Sequence, residues 1–307
     1  MKVLLTGAAG QLGQALIASR PPGVELIACS RAELDLAHAE ACRAAVRDLR
    51  PDWVLNAGAY TAVDKAESEP QLAAAVNAGA PAAFAEALAA TGGRLLQVST
   101  DFVFNGAQGS PYRPEQPLNP LGVYGATKAT GEAAALQLPG ARVLRTSWVY
   151  GPEGHNFCRT MLRLHSEREL LGVVADQVGC PTSTLTLAAA CWRAIGVGAD
   201  PNGPRILHWS DAGAASWYDF AVAIGELGVQ ADLLERAAGV KPLTTADYPT
   251  PATRPSYSLL DCSTSREALG LEPLHWREAL AEVLRFMATA APDPLGPTVP
   301  KTRPRAI

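Results

Sequence analysis

Two residues four apart, Tyr124 and Lys128, form the pair in this chain best suited to moving a proton. On a helix such positions share a face, so a phenol and an ammonium can reach one site. A free phenol has a pKa of about 10, too high for easy proton exchange at neutral pH, and a nearby Lys⁺ is expected to lower it. By itself a YxxxK pair is common and can be an ordinary exposed helix face. A third group comes from Ser99-Thr100-Asp101, at the end of the apolar run Arg94–Ser99. Open α/β sheets bind ligands at the carboxyl ends of their strands. Position alone admits either hydroxyl there; Thr100 could hydrogen-bond a substrate oxygen and hold it near the phenol.

The third feature is Thr6-Gly7-Ala8-Ala9-Gly10-Gln11-Leu12-Gly13, between a first strand and a first helix. Gly7 allows a tight turn, Gly10 lets backbone approach a pyrophosphate, and Gly13 permits close helix–strand packing. The helix start at Gln11 and Leu12 then offers N–H groups to phosphates. At the end of the second run, Ser30 and Arg31 stand where an NAD site usually carries a carboxylate. A hydroxyl and a guanidinium suit the 2′-phosphate of NADPH, with a charge-assisted bond of roughly 1.5–3 kcal/mol, and NADH remains usable. Asp35-Leu36 is placed over the adenine. Ala59, Tyr60 and Thr61, in the segment after the third run, are placed beside the adenosine and ribose.

These groups need a scaffold, and the chain supplies one. Val3–Thr6, Glu25–Cys29, Trp53–Asn56, Arg94–Ser99 and Arg142–Thr146 read as strands; Gln11–Ser19, His38–Leu49, Gln71–Ala90 and Val123–Leu138 read as helices between them. That alternation predicts an α/β fold, a Rossmann-like doubly wound parallel sheet. Residues 1–151 are the expected cofactor domain, completed by part of 171–200. Residues 152–290 form mainly a smaller α/β substrate domain, with helices near Asn156–Glu167, Leu185–Ile195, Trp217–Leu227 and Trp276–Ala288. Strands are expected at Leu171–Val174 and Arg205–Trp209, and a loop over Lys241–Arg254. The tail 291–307, proline-rich with a basic end, is expected to be disordered.

Composition excludes several classes. The 307 residues carry a formal charge of −4 without a Lys/Arg-rich run, which argues against nucleic acid or an anionic membrane surface. Six scattered cysteines without a CxxC pair read as reduced thiols of a cytoplasmic protein. No signal peptide and no membrane span are expected. His155 and Cys158 lack a second ligand pair, so no metal is expected.

The motifs together resemble the short-chain dehydrogenase/reductase superfamily, and the likeness narrows further. Ser99–Gly106 looks like the STDYVFDG segment of the dTDP-4-dehydrorhamnose reductases. Pro117-Leu118-Asn119-Pro120, Tyr124–Lys128 and Gly131-Glu132 resemble their P-x-N-x-YGxTKxxGE stretch. Ala62–Glu67, Arg145–Tyr150, Asn156-Phe157, Asp176-Gln177 and Tyr248–Pro255 fit as well. The resemblance implies reduction at C4 of dTDP-4-dehydro-β-L-rhamnose to dTDP-β-L-rhamnose, with NADPH or NADH as reductant. It makes Tyr124 the proton donor, Lys128 its activator and ribose anchor, and Thr100 a tuning hydroxyl. Thr100, Asp101, Phe102, Trp148 and Asn156 would lie on the sugar nucleotide, and Arg254 would pair with its diphosphate.

The sequence departs from the pattern twice. Phe102 replaces a tyrosine, and Ala15 stands where some relatives carry a metal-binding glutamate at a dimer contact. Leu185 offers no acidic partner, so a metal-bridged dimer is not expected and the chain reads as a monomer or homodimer. The competing readings are another sugar-nucleotide ketoreductase, an epimerase or a dehydratase, or a non-catalytic NADP-binding subunit like that of methionine adenosyltransferase. Dehydratases carry a Glu directly after Thr-Asp; Phe102 fills that place and cannot exchange a proton.

Overall fold

The computed structural model describes residues 1–196 and 203–289; the expected disordered tail lies outside the described residues. Five of the strands come where the apolar runs place them: β1 (Lys2–Thr6), β2 (Glu25–Cys29), β3 (Trp53–Asn56), β4 (Arg94–Thr100) and β5 (Arg142–Thr146). A parallel sheet covered on both faces needs such near-continuous apolar runs. With the strand Ile206–His208 they form one six-stranded sheet, ordered Ile206–His208, β5, β4, β3, β1, β2. All the pairings are parallel. Because β1 lies between β2 and β3, the connections diverge there and open a crevice at the carboxyl ends.

Ile206–His208 joins this sheet beside β5, with Ile206 opposite Val143, although it lies deep in the second half of the chain. The helix Thr184–Ile195 likewise packs Leu187 and Trp192 into one core with Leu12 and Leu16 of the first helix. The other side of the sheet is filled by Phe84, Leu88, Val54 and Leu95. A separate core gathers Tyr150 of the strand Val149–Tyr150 with Met161, Phe220, Leu280 and Leu284 of the helices Phe157–Glu167, Trp217–Gln230 and Trp276–Thr289.

Two segments differ from the sequence reading. Gly239–Leu243 is a strand paired in parallel with Leu170–Val174, where part of a loop was expected. It accommodates Pro242 because this ladder has only two strands, and an edge tolerates a residue without an N–H. The helix Ser263–Leu269, ended by Gly270 in the left-handed conformation, was too short to stand out as a periodic pattern.

The segment Pro70–Thr91 is one helix, long and apolar enough by length and composition to cross a membrane. Here it is a core helix, with Phe84 and Leu88 fully buried. Its middle, Ala75–Gly79, relaxes into a π-turn. That turn lets Asn77 bridge two functional segments, accepting from the Tyr60 amide and donating to the Thr127 hydroxyl.

Candidate active site

The crevice begins at the glycine turn. Gly7 has φ +70°, and a Cβ on it would lie 2.7 Å from the Gly58 backbone. A Cβ on Gly13 would run into the Gly7 carbonyl, harder than anything at Gly7 itself, and into Ala8. The first helix, Gln11–Ala18, starts at Gly10 without a side-chain cap, which leaves its opening turn suited to an anion. Gly7, Gly10, Gln11, Leu12 and Gly13 line a cavity of about 440 Å³ whose other walls include Ala59, Thr61, Tyr124 and Lys128. A slot of about 140 Å³ adjoins it and adds Leu34, Asp35, Leu36 and Tyr60. Gln11 Oε1 and Thr146 Oγ1, on residues lining the larger cavity, are buried without a hydrogen-bond partner. A glycine cradle, an uncapped helix start, a narrow side slot and two unpaired oxygens fit a dinucleotide.

The end of β2 is more mixed than its sequence suggests. Arg31 lines both cavities, but its side chain is 78% exposed and lies 3.7 Å from Asp35 Oδ2. The Ser30 amide donates to Glu33 Oε2 at 2.7 Å. That bond, with a second from the Ser30 side chain, holds the Glu33 carboxyl below the usual range. A carboxylate therefore folds back to the place where only a hydroxyl and a cation were expected.

On the opposite wall the helix Val123–Ala135 presents Tyr124 and Lys128 to the larger cavity together, as their spacing requires. Lys128 is 4% exposed, and its Nζ donates to the Val98 carbonyl of β4 at 2.6 Å. Burial pushes Lys128 down to about 8, opposed by the charge of Glu132. The expected lowering of Tyr124 is not what the protein shows. Burial pushes the phenol up to about 12; the Thr100 hydroxyl opposes this and the charge of Asp101 adds to it. Tyr124 is thus held as a protonated phenol, the state a proton donor needs.

Thr100 Oγ1 accepts from the Phe102 amide and donates to Asp101 Oδ1 at 3.0 Å. Phe102 meets Tyr124 edge-on, with centroids 5.6 Å apart.

Three expected substrate contacts have other work in this structure. Asp101 is 1% exposed, so its carboxylate braces Thr100 from the interior, and burial raises it to about 6. Asn156 borders a cavity of about 500 Å³, yet its side chain is spent on a helix cap: Oδ1 accepts from the Arg159 amide and Nδ2 donates to the Gly151 carbonyl. Arg254 borders a further cavity of about 520 Å³, but its fork grips Asp64, with Nη2 at 2.8 Å from Oδ2 and Nη1 at 3.1 Å from Oδ1. A diphosphate can take both guanidinium arms only by displacing that carboxylate. Trp148 does stand on the wall of the 500 Å³ cavity.

Sequence reasoning missed a buried charge network behind the catalytic wall. Glu132, one turn beyond Lys128, receives both Nε and Nη2 of Arg145 from β5 and the Ser99 hydroxyl from β4. The GE step in the motif was visible, but nothing in its spacing showed a partner on another strand. Trp217 shows itself in the sequence only as a helix start. It stacks on Trp148 at 3.6 Å.

Glycine cradle, side slot and phenol–ammonium wall on a parallel sheet define a dinucleotide-binding protein of the short-chain dehydrogenase/reductase class. The chain belongs to the RmlD substrate binding domain family, whose model matches residues 1–289. It is 44% identical over 300 residues to a dTDP-4-dehydrorhamnose reductase of Streptomyces griseus, covering 95% of this chain and 96% of the relative. It is 42% identical over 307 residues to a probable dTDP-4,6-dihydroxy-2-methyloxan-3-one 4-ketoreductase of Streptomyces antibioticus, covering 99% of each. The crystal structure of a dTDP-4-dehydrorhamnose reductase from Bacillus anthracis in complex with NADP is similar at a TM-score of 0.85. Its sequence identity is 32%, and the match covers 92% of this chain and 98% of that one.

Proposed function

We propose that this chain reduces the C4 keto group of dTDP-4-dehydro-β-L-rhamnose to give dTDP-β-L-rhamnose, with NADPH as reductant. The observation that carries this is the single cavity in which Tyr124 and Lys128 face the glycine cradle. NADPH, when bound, supplies the hydride. Gly10–Gly13 would hold its pyrophosphate, and Asp35, Leu36 and Ala59–Thr61 would hold its adenosine. The catalytic side chains then handle the oxygen at C4. Tyr124 donates its phenolic proton to that oxygen as negative charge develops on it. Lys128, with one N–H already on Val98, directs its remaining donors and its charge at the phenol and the ribose. Thr100, braced by Asp101, fixes the oxygen's position.

We assign residues 1–151, with the helix Thr184–Ile195 and the strand Ile206–His208, to the cofactor half, and most of the remaining described residues to the sugar nucleotide. The six unpaired cysteines accord with a reducing cytoplasm. A second reading, reduction of a different dTDP-4-keto sugar, is favoured by the name of the Streptomyces antibioticus relative. The test is NADPH oxidation by the purified protein with a panel of dTDP-4-keto sugars. We expect one NADPH consumed per keto group and no 4-keto-6-deoxy product from dTDP-glucose. Such a product would identify a dehydratase and end this reading.

Cofactor preference is expected to be modest. An exposed ion pair is worth about 1 kcal/mol or less, which is about fivefold in affinity. Glu33 beside Ser30 works against even that. Arg31→Ala should raise the KM for NADPH a few-fold and leave NADH almost untouched, and Glu33→Gln should favour NADPH. Equal effects of Arg31→Ala on both cofactors would place Arg31 away from the phosphate.

A further inference from the structure

We propose that Trp217 is a positioning residue for the sugar nucleotide: it holds the Trp148 indole in place and so fixes the wall at which the sugar compartment meets the outer cavity. This inference rests on the reductase reading and concerns the substrate half of the same site.

Trp148 sits just past β5 with φ +45°. For a bulky L-residue that conformation is an outlier and persists only when the surroundings impose it. The surroundings are specific. The Trp217 ring lies parallel to the indole, 3.6 Å away and tilted by 6°. Gly179 leaves no room beside it, since a Cβ there would come within 2.6–2.8 Å of the indole. The Trp148 carbonyl accepts from the Thr182 amide.

Trp217 is itself fixed from two directions. It is the first residue of the helix Trp217–Gln230, whose start is locked by a reciprocal capping box between Ser216 and Asp219. The strand just before it, Ala215–Ser216, pairs antiparallel with Val178–Gly179. One short ladder therefore carries both groups that press on the indole. Buried aromatic pairs of this kind are common, but this one is only half buried and forms part of a wall.

The position on that wall gives the pair its consequence. The 500 Å³ cavity shares Gln11, Thr61, Val149 and His155 with the cofactor crevice. The 520 Å³ cavity shares only Trp217 and Phe157 with the 500 Å³ one, and extends to Tyr248 and Arg254. A sugar nucleotide whose keto carbon lies near Tyr124 and whose nucleotide lies in the 520 Å³ cavity passes Trp217. The cofactor need not, because Trp217 does not line its crevice. A displaced Trp148 would move the sugar and leave NADPH where it is.

The test is a double-mutant cycle on the full chain with Trp217→Leu, Trp148→Leu and the double variant, plus Trp217→Phe as the conservative change. Steady-state kinetics with the dTDP-4-keto sugar are read beside the NADPH Kd and the Tm. We expect Trp217→Leu to raise the sugar-nucleotide KM about tenfold with an unchanged NADPH Kd, and Trp217→Phe to restore most of the loss. In the Trp148→Leu background the same substitution should add less than about threefold, because its effect runs through Trp148. An equal loss in both backgrounds, an unchanged KM, or a parallel loss of NADPH binding would overturn the inference. Wild-type protein that neither oxidises NADPH with these sugars nor binds dTDP would instead overturn the functional reading and, with it, the ligand assigned to this wall.

Discussion

Tyr124→Phe should lower kcat roughly a hundredfold or more, while the Kd for NADPH and the Tm stay close to wild type. The substitution removes one oxygen and keeps the ring, so the edge-on contact with Phe102 survives. What is lost is the proton. Burial holds the phenol at about 12, so across the neutral range it is fully protonated and ready to donate. Its conjugate base is then unfavourable, and the positive charge of Lys128 must offset this as the proton leaves. Lys128, pushed down to about 8, carries its charge below that pH and loses it above. The kcat profile should therefore fall as pH rises through about 8. Lys128→Met should abolish most turnover and weaken NADPH binding as well, because the ammonium serves the phenol and the ribose. A Tyr124→Phe enzyme with near-normal kcat would remove the phenol from the mechanism.

The parts of this site that sequence reveals are those built from local chemistry. The glycine turn needs small residues at fixed steps, and Tyr124 and Lys128 share a face because a helix repeats every 3.6 residues. Both are visible in a short window of sequence. What stays hidden depends on partners far along the chain. Arg254 reads as a cation in a proline-flanked loop; only the fold shows Asp64, 190 residues away, gripping its guanidinium. Asn156 was read as a substrate contact from family likeness, although an Asn before a helix is also a cap, and here it is one. Glu33 was overlooked because its effect on the β2 end depends on a turn that brings its carboxylate back to Ser30. The strand Ile206–His208 joins the cofactor sheet through pairing with β5, which no short-range pattern specifies. The phenol's raised pKa reverses a sequence-level expectation for the same reason: burial and Asp101 act on it through the tertiary structure.

Glu132→Ala should cost about 3–5 kcal/mol of unfolding free energy, measured by denaturant titration, because it leaves a buried cation without its counter-charge. Glu132 and Arg145 are each only 2% exposed, and their closest approach is 2.7 Å. Arg145 has other partners: the Pro114 carbonyl at 3.0 Å, the His208 ring at 3.2 Å and the face of Phe104. None of them carries a negative charge. Burial, with Arg145 adding to it, pushes His208 down to about 3, so that ring is neutral and cannot worsen the repulsion near neutral pH. Without Glu132, Arg145 and Lys128 would be two buried cations with no carboxylate between them. Lys128 would then fall below about 8, since Glu132 is the charge that opposes its burial. The sign follows directly: a lower pKa removes the ammonium at lower pH, so the alkaline fall in kcat should move toward neutrality. Ser99→Ala separates packing from charge. It deletes one hydrogen bond to the Glu132 carboxylate, worth about 1.5–3 kcal/mol, and leaves the ion pair whole, so the pH profile should not move. A Glu132→Ala protein within about 1 kcal/mol of wild type, with its alkaline limb unmoved, would show that the pair neither holds this wall nor tunes Lys128.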